Sequence, residues 1–350
     1  MVALSSPGED LEKIASSGKI RKLEVSMQRE ITPFKDLESL FKLIKIFNRE
    51  KPDMVHSITP KAGLLSMIAA KITGVSTRVH TFTGLVFPTS KGLKRTILSL
   101  CDKITCSCAS HIVAEGAGVK DDLQQNHITH KEITIIGNGN MRGIDLQYYN
   151  PEITADEGDK IRASIGAEKS SVVFIFVGRV VRDKGIEELI NAFEKLIEEN
   201  IDARLLIVGD TESKDPLPDE ILQKINSNHL IFFNKKWIDD VRPYYSAADV
   251  LVFPSYREGF PNVVLEAGAM KLPSIVTDIN GSREIIQQEE NGVIIPPKDT
   301  ESLFNQMKRL VLAKEQLTEM GEKARKNVSE RFEQSFVRNC HKDFYRKILR

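Results

Sequence analysis

The 350-residue sequence predicts an α/β protein built from two doubly wound domains, each a parallel sheet covered by helices on both faces. Short apolar runs alternate with amphipathic stretches along most of the chain, the pattern of repeated βαβ units. A Gly- and Asn-rich stretch, GNGNMRGIDLQYYNP over 137–151, interrupts the alternation, which then restarts. The run Val250–Phe253 closes at Pro254 and leads through a polar loop into a helix, as a buried parallel strand does. The expected division is 1–147, 148–330, and a helix over 331–350 that packs back toward the first domain. Ligands bind beyond the carboxyl ends of such sheets, so a cleft between the domains is the expected site.

In the first domain, apolar runs predict strands at Met1–Leu4, Leu23–Val25, Met54–Ile58, Arg78–Thr81, His111–Ala114 and Ile133–Ile136. Helical spacing predicts Glu9–Ser17, Phe34–Asn48, Lys61–Ile72 and Leu93–Leu100 between them. In the second, strands are expected at Val172–Val177, Ala203–Val208, Leu230–Phe233, Val250–Phe253, Ser274–Val276 and Val293–Ile295. From about Glu301 the pattern is helical to the end.

Hydrophobic content of 41% and charged content of 28% are those of a globular protein. No apolar run is long enough for a spanning helix, and the N-terminus lacks the charged-then-apolar pattern of a signal peptide. Cys101, Cys106, Cys108 and Cys340 form no CxxC pair, so they read as reduced thiols of a cytoplasmic protein. Net charge is zero, yet residues 1–141 hold 19 Lys+Arg against 14 Asp+Glu, and the remainder 30 against 35. A mildly basic first half suits an anionic membrane face or a pyrophosphate-bearing acceptor, though scatter alone produces such a bias too. Lys91, Lys94 and Arg95 with Leu93, Ile97, Leu98 and Leu100 make a basic, apolar helix. It reads either as a membrane-docking helix or as a helix with one core face and one solvated face. No nucleic-acid partner is expected.

Two segments of the second half bear chemistry. In PSYREGFPNVVLEAG, 254–268, Glu258 lies in a loop, and Pro261 and Asn262 open a helix that carries Glu266. Backbone N–H groups of Gly259, Phe260, Pro261's neighbour Asn262 and the helix start would face an anion. Two carboxylates beside an anion site make sense for a ligand that also carries hydroxyls, such as a nucleotide sugar. In VFIFVGRVVRDKG, 173–185, Gly178 and Arg179 end a strand and Lys184 begins a helix. A guanidinium fork and an ammonium suit a diphosphate. Asp239 and Asp240 are adjacent and read as a loop or helix cap rather than a D-x-D metal site.

Together these segments resemble retaining family 4 glycosyltransferases of the GT-B fold, two Rossmann-like domains facing across a cleft. VGRVVRDKG matches the family's VGR…KG segment, EGFPNVVLE its E-x7-E motif, and INGSREII and NGVIIP its G…E and NG segments. DMVHSITPKAGLLSMIAA, HTFTGLVF and IIGNGNMRGIDLQYYNP resemble the capsular-polysaccharide branch. The resemblance implies that Arg179 and Lys184 hold the donor pyrophosphate and stabilise the leaving diphosphate. Glu266 would accept from ribose hydroxyls, and Glu258, with Gly259–Asn262, would contact the donor sugar. Gly178 would lie beside the phosphates, Trp237 and Ile238 would frame the base, and Glu284 would support the loop facing the donor. Lys236 stands where family members often have glycine.

Acceptor contacts fall on His56, His80, Thr83 and Gly84. Thr83 occupies the place where many relatives have a histidine. For both histidines a packing role stands beside an acceptor role.

The implied activity is a hexosyl transfer, without cofactor or metal, from a UDP-sugar to a lipid-linked or growing glycan in capsular or surface polysaccharide assembly. The implied location is the cytoplasm, in peripheral contact with the inner membrane face. Two alternatives stand beside it: an impaired nucleotide-binding or assembly protein, and a GT-B sugar-nucleotide epimerase, a class that does not share the E-x7-E and G…E pairing. Relatives of this fold begin with a central strand, a glycine loop and a helix. The chain is expected to lack that unit, about 30 residues, which would leave two strands of the first sheet without the partner between them.

Overall fold

The computed structural model describes residues 1–16, 18–28, 32–212, 215–235 and 238–349. They form two compact units: residues 1–115, 119–136 and 342–350 in the first, 116–118 and 137–341 in the second.

The first unit runs β1 (Val2–Ser5), α1 (Glu9–Ser16), β2 (Arg21–Glu24), α2 (Pro33–Glu50), β3 (Met54–Ser57), α3 (Pro60–Ile72), β4 (Thr77–Phe82), α4 (Gly92–Cys108), β5 (His111–Ala114), α5 (Ala117–Gln125) and β6 (Ile133–Ile135). Its strands are all parallel but fall into two sheets, β1-β2 and β3-β4-β5-β6. Among the described residues no ladder joins β1 or β2 to the four-stranded sheet. Val25, Leu43, Val55, Leu65, Val119 and Leu123 share one apolar core across both pieces. That shared burial holds the pieces together without backbone pairing.

The second unit contains α6 (Ala155–Ser164), β7 (Val172–Val177), α7 (Ile186–Glu198), β8 (Ala203–Val208), α8 (Asp219–Ser227), β9 (Ile231–Asn234), α9 (Arg242–Ala247), β10 (Val250–Phe253), α10 (Asn262–Ala269), β11 (Ser274–Thr277), α11 (Ser282–Ile285), β12 (Gly292–Ile295), α12 (Thr300–Leu312), α13 (Glu315–Arg331) and α14 (Gln334–Ile348). Its six strands are parallel in the order β12-β11-β10-β7-β8-β9, a doubly wound sheet whose order reverses between β7 and β10. The strands of its centre are buried on both faces, which is why Val172–Val177 and Val250–Phe253 are continuous apolar runs rather than alternating ones.

The division between units falls after Ile136, earlier than residue 147. The Gly- and Asn-rich stretch is fastened to the second unit: Ile144 N–H donates to Phe332 O at 2.8 Å, and Arg325 donates to Tyr149 O at 2.9 Å. At the other end, α14 is one helix whose residues from Lys342 onward group with the first unit.

Candidate active site

Most of the expected donor residues lie at the carboxyl edge of the second unit's sheet. Gly178, directly after β7, donates its N–H to Val208 O at 3.0 Å. Arg179 follows it, half exposed, and its guanidinium donates to Glu212 at 2.8 Å. Lys184 closes the 3₁₀ turn Arg182–Lys184, and Gly185 then starts α7 with φ +70. A Cβ on Gly185 would lie 2.1 Å from the carbonyl oxygen of Pro254, so only glycine lets this turn sit against the end of β10. That close approach puts Lys184 beside the Glu258 loop. Its ammonium pairs with Glu258, both side chains largely buried, and lies 5.4 Å from the centre of the Phe253 ring. Ser255 Oγ adds a hydrogen bond to the same Glu258 oxygen at 3.2 Å.

The loop from Gly259 to Pro261 is packed from outside by the turn before α11. Gly281 has φ +74, and a Cβ there would meet Gly259 O and Pro261 Cδ at 2.6 Å. Phe260 is a core side chain, with its ring 5.5 Å from that of Phe332, so only its backbone can face a ligand. Pro261 is extended, with φ −75 and ψ 104, and α10 begins at Asn262; the proline flanks the helix instead of entering its first turn. Glu284, on α11, accepts from the N–H groups of Ala117 at 2.7 Å and Gly118 at 3.1 Å, the short piece that groups with this unit. Ile238 is partly buried against the core. Trp237 and Lys236 lie outside the described residues.

Glu266 sits one turn after Asn262 on α10, almost fully buried, and here the structure adds partners that sequence reading missed. Arg142 Nη1 donates to Glu266 Oε1 at 2.9 Å, and Tyr245 OH donates to Oε2 at 3.4 Å. Tyr149 also hydrogen-bonds this carboxylate. Burial raises the Glu266 pKa, while Arg142 and the tyrosine hydroxyls oppose that rise by favouring the ionised form. Arg142 is placed by Asn140, a buried residue with φ +54. The Asn140 side chain donates to Asn262 Oδ1 at 2.9 Å and accepts from the N–H groups of Arg142 and Gly143 at 3.1 and 2.7 Å. The available signal was a single arginine within an otherwise uncharged GNGNMRG turn, where asparagine tolerates a left-handed backbone. Asp240 accepts from Arg242 N–H at 3.0 Å and from its guanidinium, so it serves the start of α9.

The residues expected to face an acceptor belong to the first unit. His56, at the end of β3, has Nε2 2.8 Å from Thr81 Oγ1 and Nδ1 2.8 Å from Tyr345 OH. His80 is 1% exposed, with Nδ1 2.8 Å from Ser57 Oγ. Gly63 lies so close that a Cβ there would be 2.2 Å from His80 Cε1. Burial pushes the His80 pKa down to about 3, so its ring is neutral. His80 is therefore packed as a core group, the packing reading of the two that the sequence left open. Thr83 and Gly84 are half-buried just beyond β4.

Two Rossmann-like units are the fold of GT-B glycosyltransferases, and solved structures show the likeness directly. HepE from Anabaena, crystallised with UDP, superposes with a TM-score of 0.82 at 17% identity, over 99% of this chain and 92% of that one. A glycosyltransferase from Rickettsia africae gives 0.80 at 22% identity, over 100% and 90%. The family description "Glycosyl transferases group 1" matches residues 157–327, and "Glycosyl transferase 4-like" matches 1–115. The capsular polysaccharide biosynthesis glycosyltransferase CapM of Staphylococcus aureus is 31% identical over 93% of this chain and 85% of its own. An Escherichia coli UDP-Gal:alpha-D-GlcNAc-diphosphoundecaprenol alpha-1,3-galactosyltransferase is 31% identical over 81% and 72%. The chain thus belongs to family 4 of the GT-B glycosyltransferases, and it is a transferase enzyme.

Proposed function

We propose that the protein moves a sugar, with retention of configuration, from a UDP-sugar to a lipid-linked or growing glycan in capsular or other surface polysaccharide assembly. The observation that carries this reading is the Lys184–Glu258 pair, together with Arg179 just after the end of β7, at the carboxyl ends of β7 and β10. Both cations are held by carboxylates, Glu258 and Glu212, that a diphosphate could replace. In this reading Arg179 and Lys184 neutralise the leaving UDP, work that preorganised charges can do without a metal. Glu258 turns to the donor sugar and Glu266 to the ribose. The CapM likeness supports the capsular pathway, and the named substrates of the Escherichia coli relative support a UDP-sugar and a diphosphoundecaprenol-linked acceptor.

Among the described residues no helix is long and apolar enough to cross a membrane. Helix α4 instead leaves Leu93, Ile97, Leu100 and Ile104 exposed, beside Lys91, Lys94, Arg95 and Lys103. Its one acid, Asp102, is pushed up by burial to about 7, so near neutral pH it carries only part of a negative charge. Such a surface suits peripheral docking on anionic lipid, where a lipid-linked acceptor resides.

The test is calorimetric titration with UDP, GDP and ADP, followed by assay of UDP release from UDP-hexoses without acceptor. Selective UDP binding with slow donor hydrolysis is expected. UDP binding without hydrolysis of any UDP-hexose would favour a nucleotide-binding protein, and preference for GDP or ADP would overturn the donor assignment.

A further inference from the structure

Glu266 is the point on which three pieces of the second unit converge. Helix α10 supplies the carboxylate, the 137–151 loop supplies Arg142 and Tyr149, and α9 supplies Tyr245. The exposures are unequal: the Glu266 side chain is 9% exposed and the Arg142 side chain 55%. A half-exposed arginine gains little from pairing on its own account. A buried carboxylate loses much if it is left without a cation or donors. The loop geometry also serves the carboxylate, because Asn140 is bonded both to Asn262, one turn before Glu266, and to the backbone of Arg142. One buried amide thereby fixes the distance between the helix and the arginine.

We propose that Arg142 is a positioning residue for Glu266, holding one carboxylate oxygen so that the ribose hydroxyls of the donor meet an ionised, correctly aimed acceptor. This rests on the reading of Glu266 as the ribose contact. An ionised carboxylate accepts from both hydroxyls of a ribose, whereas a protonated one must use an oxygen as donor and accepts less. Burial drives Glu266 toward its protonated form, and the titratable groups facing it are Arg142 and Tyr149 from the loop and Tyr245 from α9. Both tyrosine pKa values are raised by burial, so their hydroxyls stay protonated and donate without bringing charge. Without Arg142, burial is opposed by neutral donors alone, and Glu266 takes up a proton closer to neutral pH.

The experiment titrates UDP into the full chain and into Arg142→Gln, Arg142→Lys, Glu266→Gln and the Arg142→Gln/Glu266→Gln double variant, each at pH 8 and pH 6. Arg142→Gln is expected to bind UDP about tenfold more weakly at pH 6 and only about twofold more weakly at pH 8, because the carboxylate takes up a proton only toward the lower pH. Arg142→Lys, which keeps a cation, should recover most of the pH 6 affinity. In the Glu266→Gln background the arginine change should add less than about twofold, since it acts through a carboxylate no longer present. For Arg142→Gln, the KM for UDP-hexose in donor hydrolysis should rise more than the rate at saturation falls, because the effect is on binding.

A loss that is equal at both pH values, or that adds in full to the loss in Glu266→Gln, would overturn the proposal and make Arg142 a direct nucleotide contact. Glu266→Gln binding UDP as the parent does would instead overturn the ribose reading, and the positioning role with it. The lysine variant keeps the test decisive if the glutamine variant fails to fold.

Discussion

Asn140 and Asn262 are joined by a 2.9 Å hydrogen bond between side chains 122 positions apart, and that bond sets where the site's loop meets its helix. Asn140 is 1% exposed and left-handed, with φ +54. Asn140→Ala would lose this bond, strand the N–H groups of Arg142 and Gly143, and place a Cβ-bearing residue less tolerant of that backbone. The expected cost is about 2–4 kcal/mol, from unsatisfied buried groups and backbone strain together. Asn140→Gly removes the strain but not the lost bonds and should cost less. Denaturant midpoints of the two variants check this, and equal midpoints would show that backbone conformation contributes nothing there.

A second expectation concerns Gly185, where a tight backbone approach places Lys184 next to Glu258. Gly185→Ala brings both a positive φ and a contact with backbone, Pro254 O, at 2.1 Å. Gly166 has a similar φ, +61, with nothing within 4 Å of its would-be Cβ. Gly166→Ala should therefore cost about 1 kcal/mol for conformation alone. Gly185→Ala should cost at least twice that and also weaken UDP binding, because β10's end and the Lys184 turn must separate. Thermal unfolding with and without UDP would separate the two effects; parallel shifts for both variants would remove Gly185 from the site's architecture.

Much of this was legible in the sequence, and what was not has a common cause. The buried strands Val172–Val177 and Val250–Phe253 were readable to the residue, since strands buried on both faces are plain apolar runs bounded by Gly or Pro. The placement of Glu258, Lys184 and Arg179 at one sheet edge was readable from their spacing to the ends of β7 and β10. The 137–151 stretch was not, because Gly and Asn look the same in a flexible linker and in a loop held by specific bonds. Whether Asn140 is buried is decided by helix α10, far away in sequence. His80 was ambiguous for the same reason: a histidine at a strand end is a ligand contact or a core group depending on what covers it. Gly63, on α3, covers it.

A third expectation separates two roles among the cations and carboxylates. Arg179 is half exposed and its partner Glu212 is also partly exposed, so Arg179→Ala should leave the fold unchanged. It should weaken UDP binding by about tenfold or more, the loss of one charged hydrogen-bonding partner. Glu258→Gln keeps the shape of the side chain while removing the charge opposite Lys184. It should lower turnover by about a hundredfold and UDP affinity far less, if its carboxylate is aimed at the donor sugar during transfer. Unchanged turnover in Glu258→Gln would take that residue out of the chemistry.

The last expectation is a pH dependence of stability that belongs to the first unit. Burial holds the His80 pKa at about 3, whereas an unfolded chain takes the proton near the ordinary value of 6.5. Between those values the unfolded state binds more protons than the native state, so unfolding is favoured as pH falls. The stabilisation is complete above pH 6.5 and is lost progressively down to about pH 3. The slope from this one group cannot exceed about 1.4 kcal/mol per pH unit. His80→Gln can retain a hydrogen bond to Ser57 and cannot titrate, so it should be less stable at pH 7 but show a shallower loss between pH 6 and pH 4. Guanidinium unfolding of the parent and of His80→Gln at those pH values measures the difference, and identical slopes would mean that the buried imidazole does not govern the acid sensitivity of this unit.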